Sequence, residues 1–124
     1  DGVYAAALLV EMIAVTGKRL SEIYQMIEEE CGTIYMEERD YKFSQEKKAA
    51  MQNILMEEKK VPEIPYEVEH ISYMDGCKIY FKNGGWVVAR FSGTEPLLRI
   101  FCEMPGKEDA EKISNIYEEF LGLK

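Results

Sequence analysis

Between Val68 and Cys102 the chain turns three times in little more than thirty residues, and this spacing limits the folds open to it. Asp75-Gly76 separates two alternating segments, and Asp-Gly suits the positive φ angles of a tight hairpin turn. Asn83-Gly84-Gly85 supplies the next turn, before a strand from Trp86 to Phe91. Ser92-Gly93-Thr94-Glu95-Pro96 then leads into a strand from Leu97 to Glu103. Strands joined by such short connections pair antiparallel, because a parallel pair needs a crossover of a dozen residues or more.

Helical patterns stand on both sides of these strands. Gly2 to Val15 is almost wholly apolar and ends at Thr16-Gly17-Lys18, with Gly17 as a left-handed cap. A helix apolar on most sides is normally buried, so here it is expected to have packed on a neighbouring domain. Leu20, Ile23, Tyr24 and Ile27 give an amphipathic helix stopped at Gly32. Thr33 to Phe43 reads as a partly exposed strand. Ser44 caps a helix with Ala50, Met51, Ile54 and Leu55 as its apolar positions, and Pro62 and Pro65 mark a linker. After Pro105-Gly106 a last helix turns Ala110, Ile113, Ile116, Tyr117, Phe120 and Leu121 inward, with Gly122 past its end. The order predicts an α+β domain of two layers: a mostly antiparallel, four- to five-stranded sheet with helices on one face.

With 15 basic and 23 acidic side chains the net charge is −8. Such a surface repels nucleic acid and anionic lipid, so neither is expected as a partner. An anion site must be built locally, from a few arginines and backbone amides. No apolar run reaches the ~20 residues that cross a bilayer. The three cysteines, Cys31, Cys77 and Cys102, fit neither a disulfide framework nor a zinc pattern, and suit a reducing cytoplasm. The chain opens at Asp1 without an initiator Met or a charged leader, and is expected to be a piece of a longer, non-secreted protein. His70, the only histidine, is expected at or near the surface beside Glu69, and Trp86 in the core.

One stretch carries chemistry: Arg90-Phe91-Ser92-Gly93-Thr94-Glu95-Pro96-Leu97-Leu98-Arg99. Two arginines at the ends of successive strands flank a loop with two hydroxyls and a glycine. A phosphate dianion needs several donors converging on its oxygens, and the arginine fork can hold two at once. Ser92 and Thr94 can add hydroxyls, successive loop amides can form an anion-binding concavity, and Gly93 leaves the backbone open to close approach. The plain alternative is a surface turn, with Arg90 and Arg99 in ordinary salt bridges to Glu95 or Glu103.

Arg90 to Glu103, RFSGTEPLLRIFCE, resembles the phosphate-binding loop of the α-D-phosphohexomutases, which include phosphoglucomutases, phosphomannomutases and phosphoglucosamine mutases. Asp75-Gly76 with Lys78, Gly85-Trp86-Val87-Val88 and the Asp1-Gly2 helix are similar to the family's flanking segments. The resemblance implies a TATA-binding-protein-like C-terminal domain at residues 18–124, with residues 1–17 the terminal helix of the preceding domain and a hinge near Thr16-Gly17-Lys18. It implies an enzyme of four domains that interconverts sugar 1- and 6-phosphates through a phosphoserine and a bisphosphate intermediate. The phosphoserine, the Mg²⁺ loop and the sugar-reading loop would lie in the other three domains. This fragment would then hold no cofactor and be inactive alone. Its partners would be the substrate's phosphate and the rest of its own chain. Arg90, Ser92, Gly93, Thr94 and Arg99 would hold the phosphate that is not reacting, while Glu95 and Pro96 shape the loop. The sugar would be of glucose or mannose type. A parent phosphoglucosamine mutase, a free-standing phosphosugar-binding module, and a structural or interaction domain in which the loop is only a turn are the other readings.

Overall fold

A computed structural model describes residues 1–123. The chain divides into two compact units, the first Asp1–Thr33 and the second from Ile34 onward. In the first, α1 spans Gly2–Thr16 and α2 spans Leu20–Cys31. The Asp1 carboxylate accepts from the amides of Val3 (3.0 Å) and Tyr4 (3.5 Å), satisfying donors that a helix start leaves open. Gly17 closes α1 in the left-handed conformation, φ 65°, as its position predicts. Leu9 and Met12 of α1 face Leu20, Ile23, Tyr24 and Ile27 of α2 across an apolar cavity of ≈240 Å³. No residue of α1 is buried.

The second unit is built on a five-stranded sheet: β1 (Tyr35–Lys42), β2 (Val68–Ser72), β3 (Cys77–Phe81), β4 (Trp86–Phe91) and β5 (Leu97–Met104). Their order across the sheet is β1-β5-β4-β3-β2, and every neighbouring pair is antiparallel. The helices α3 (Gln45–Gln52) and α4 (Lys107–Phe120) complete the α+β, two-layer architecture read from the sequence. Alternation along the strands sends Cys77, Ile79, Phe81, Val87, Ala89, Leu98, Ile100, Cys102 and Met104 to one face. There they pack with Met51, Leu55, Ala110, Ile113, Tyr117 and Leu121. Fifteen buried residues form this cluster, so the sheet face under the helices carries the core.

Four details differ from the sequence reading. α3 gives way at Asn53–Glu57 to a turn of π-helix, so the helical register shifts before Leu55 is buried. Ala50, expected on the inner side of that helix, is exposed, while Lys48 is buried in its place. The β2–β3 connection is longer than a two-residue hairpin, running through Tyr73 to Gly76. Trp86 is half-buried on the opposite sheet face, because its neighbour Val87 takes the core-facing position. The Lys78 ammonium stands 3.9 Å from the centre of the Trp86 ring and 4.6 Å from that of Tyr80, whose other neighbour is the stacked ring of His70.

A polar brace ties β1 to α4. Arg39 reaches Glu118 at 2.9 Å, Glu37 at 3.0 Å and the Asn115 amide oxygen at 2.8 Å, and the Tyr41 hydroxyl donates to Glu118. Partial burial works against the Arg39 cation, but its bonds to Glu37, Glu118 and Tyr41 outweigh that and raise its pKa. Burial, then the bond to Glu118, pushes the Tyr41 phenol up to about 12. Among the described residues no helix is long and apolar enough to cross a membrane.

Candidate functional site

The loop from Ser92 to Pro96 joins β4 to β5, and the register of these strands decides what it presents. Arg90 lies directly opposite Arg99, with Phe91 opposite Leu98. On the far side of β5, Arg99 lies opposite Asp40 of β1. Arg99 Nε stands 3.6 Å from Asp40 Oδ1, and Arg90 Nε stands 3.1 Å from Asp75 Oδ1 in the β2–β3 connection. The row across the sheet therefore reads minus, plus, plus, minus, with all four side chains substantially exposed. Like charges placed directly opposite on neighbouring strands are destabilising, by an amount of the same order as the ~0.2–1 kcal/mol a favourable cross-strand pair contributes. Two flanking carboxylates offset part of that cost, and an anion set between the arginines would remove more of it. Neither arginine bonds Glu95 or Glu103, the partners a plain surface turn was expected to use.

Gly76 is what lets Asp75 come so close. It holds φ 85°, and a Cβ there would lie 2.5 Å from the Ala89 carbonyl and 3.1 Å from the Arg90 Cα. Only glycine fits both the backbone angle and the approach to β4.

Within the loop the polar groups divide by direction. The Ser92 amide donates to the Leu97 carbonyl and the Leu97 amide to the Glu95 carbonyl, both at 2.8 Å. Ser92 Oγ accepts weakly from the amides of Thr94 (3.4 Å) and Glu95 (3.3 Å), a hydroxyl-centred turn that holds successive amides on one side. Three of its carbonyls are also engaged from elsewhere. Lys48 Nζ donates to the carbonyls of Ser92 (2.7 Å) and Glu95 (3.2 Å), and the Phe43 amide donates to that of Pro96 (3.1 Å). Nothing lies within 4 Å of the place where a Gly93 Cβ would stand.

Arg90, Phe91, Ser92, Gly93 and Arg99 line an open pocket of ≈180 Å³. Sites that enclose a whole drug-sized ligand are larger, ~300–1,000 Å³; this one matches a single anionic group with the rest of its molecule outside. Four of the five residues expected to hold phosphate are thus gathered, and Thr94 is not among those lining the pocket. Phe91 joins them unforeseen. Lys48, Asp40 and Asp75 were not foreseen either. The spacing of Lys48, Met51 and Leu55 places the lysine on the buried stripe of its helix, and that was the available signal.

Residues 46–119 match the family model described as phosphoglucomutase/phosphomannomutase, C-terminal domain. The chain belongs to this family. It is 34% identical over 125 aligned residues to a phosphoglucomutase/phosphomannomutase of Thermococcus kodakarensis, covering all of this chain and 24% of that protein. It is 37% identical over 119 residues to a probable phosphoglucosamine mutase of Methanosarcina acetivorans, covering 95% of this chain and 23% of that one. A probable phosphoglucosamine mutase of Methanocella arvoryzae is 32% identical over 121 residues, covering 98% and 25%. The chain spans about a quarter of the length of the curated relatives it matches.

Among the described residues of this phosphohexomutase C-terminal domain, no three His, Cys, Asp or Glu side chains converge as metal ligands. The donors at the loop are cationic and amide groups, which suit an anion and not Mg²⁺. No step on this chain is therefore assigned to a metal.

Proposed function

We propose that this chain is the phosphate clamp of a phosphohexose mutase, holding the substrate phosphate that is not being transferred. Arg90, Ser92, Gly93, Thr94 and Arg99 are its binding residues. The observation that carries this reading is the opposed pair Arg90 and Arg99 at the mouth of a loop whose Ser92, Glu95 and Pro96 carbonyls are held from α3 and the segment before it. The parent enzyme would interconvert the 1- and 6-phosphates of a hexose through a phosphoserine and a bisphosphate held by its other domains. Mg²⁺ would serve there, and the chain alone would not turn over. Residues 1–17 would be the last helix of the preceding domain, moving about Thr16-Gly17-Lys18, in a cytoplasmic protein.

Such a clamp has a physical logic. The substrate must present first one end and then the other to the same phosphoserine. A pocket sized for a phosphate, with the sugar outside, accepts either end. Binding energy from the distal phosphate can close the cleft and exclude water, so that the phosphoryl group is not lost to hydrolysis.

The test is a titration of the ¹⁵N-labelled chain with glucose 1-phosphate, glucose 6-phosphate and glucose. Shifts at the amides of Ser92 to Glu95, alike for both phosphates, absent with glucose and lost in Arg90→Ala, are expected. No shift with either phosphate near 10 mM, which would fill a site of Kd about 1 mM, refutes an autonomous clamp. On the sugar itself, a glucose- or mannose-type substrate is our first reading. Similarity to probable phosphoglucosamine mutases supports glucosamine equally, and turnover of the parent enzyme with each 1-phosphate decides between them.

A further inference from the structure

We propose that Lys48 is the positioning residue of the loop, a buried cation that holds the Ser92 and Glu95 carbonyls and adds a positive field for the anion. The inference rests on the reading of the loop as a phosphate clamp. Lys48 stands in the first half of α3, 9% exposed, in the stripe it shares with Met51 and Leu55. Its ammonium spans the loop, bonding the carbonyl at the start, Ser92, and that near the end, Glu95. The Phe43 amide, five residues earlier, takes the next carbonyl, Pro96. The segment from Phe43 to Lys48 thus engages three carbonyls of a loop of five residues.

A buried ammonium is costly unless its charge is compensated. Among the described residues Lys48 makes no ion pair, and its hydrogen-bond partners are the carbonyl oxygens of Ser92 and Glu95. Carbonyl dipoles satisfy the N–H groups but leave the charge in place. An anion bound to the other side of the loop would supply the missing counter-charge, and the attraction would act through partly dehydrated protein, where it is weakly screened. A lysine conserving only solubility would stand on the exposed face of so polar a helix.

The test compares Lys48→Met and Lys48→Gln with the unaltered chain. Met suits the apolar stripe and removes both bonds and charge; Gln keeps a donor and removes the charge. In Lys48→Met the amides of Ser92 and Leu97 should exchange with solvent roughly tenfold faster while those of β3 and β4 keep their rates. Its Kd for glucose 1-phosphate should rise roughly tenfold, with a shallower salt dependence. Lys48→Gln should keep more of the loop's protection than Lys48→Met yet lose comparable affinity. Unchanged loop exchange in both variants overturns the positioning role. Protection lost with affinity intact overturns the role of the charge. If the unaltered chain binds no phosphosugar, the clamp reading fails, while the exchange rates still decide what Lys48 does to the loop. Should Lys48→Met fail to fold, Lys48→Gln carries the same measurements.

Discussion

Replacing Arg99 by Met separates what this residue does for the fold from what it does for the ligand. The pair with Asp40 is 3.6 Å long between half-exposed side chains, and exposed pairs are worth ~0.2–1 kcal/mol. Arg99 also stands directly opposite Arg90, an arrangement that is destabilising by an amount of the same order. The two terms oppose each other, so Arg99→Met should alter stability by no more than ~0.8 kcal/mol. For a domain of this size that is a shift of at most ~3–6 °C in Tm. Phosphate binding tells the two roles apart, since a hydrogen bond to a charged partner is worth ~1.5–3 kcal/mol. Its loss should raise the Kd for glucose 1-phosphate ~10–150-fold at 1.4 kcal/mol per decade. Calorimetric melting and amide-shift titration of the same preparation measure both. A Tm lower by more than ~8 °C, or an unchanged Kd, refutes the reasoning.

Other changes have equally definite outcomes. Gly93→Ala meets open space, so melting should stay within ~0.5 kcal/mol of the unaltered chain while the titration shows weaker phosphosugar binding. Gly76→Ala forces a Cβ against the Ala89 carbonyl at a positive φ, and should cost ~1–3 kcal/mol in the same melts. Burial, and for Tyr41 its bond to Glu118, raises Tyr41 and Cys102 to about 12, from 10.0 and 9.0. A raised folded pKa gives stability that is complete below the unfolded value and lost as pH climbs through the folded one. Denaturant midpoints should therefore be level below pH ~9 and fall between ~9 and ~12; a flat profile to pH 12 would contradict the burial of these groups. Cys31 is exposed, whereas Cys77 and Cys102 are buried with raised pKa values, so a thiol reagent at neutral pH should label Cys31 alone, as read by mass.

The order and type of the elements were legible because each carries its own punctuation. Gly17, Gly32, Ser44 and Gly122 stand at helix ends, and the three turn signals between Val68 and Cys102 bound the strands. The loop was legible for the same reason, its residues being contiguous in the chain. What supports the loop was not, because support comes from afar. Lys48 lies 44 residues from Ser92, and among Gln45, Glu46 and Lys47 it resembles one more solvated side chain. Asp40 and Asp75 became partners of the arginines only through strand register. Trp86 was misplaced because aromatic character predicts burial without saying which face of a strand is buried. The π-helical turn at Asn53–Glu57 left no mark in the sequence pattern.

The site is assembled from strands far apart in the chain. β5 is edged on one side by β4, its hairpin partner, and on the other by β1, which begins some sixty residues earlier. Hairpins close within microseconds, whereas pairing β1 with β5 must first meet the entropy of a long closure. Asp40, the Phe43 amide and Lys48 all lie in β1 or just after it, on the β1 side of that long closure. A chain with β2 to β5 in place but β1 still loose would keep both arginines and the loop's own hydrogen bonds but lack the support from Phe43 and Lys48. A bound anion would then favour the completed sheet over every earlier species, acting as a folding ligand.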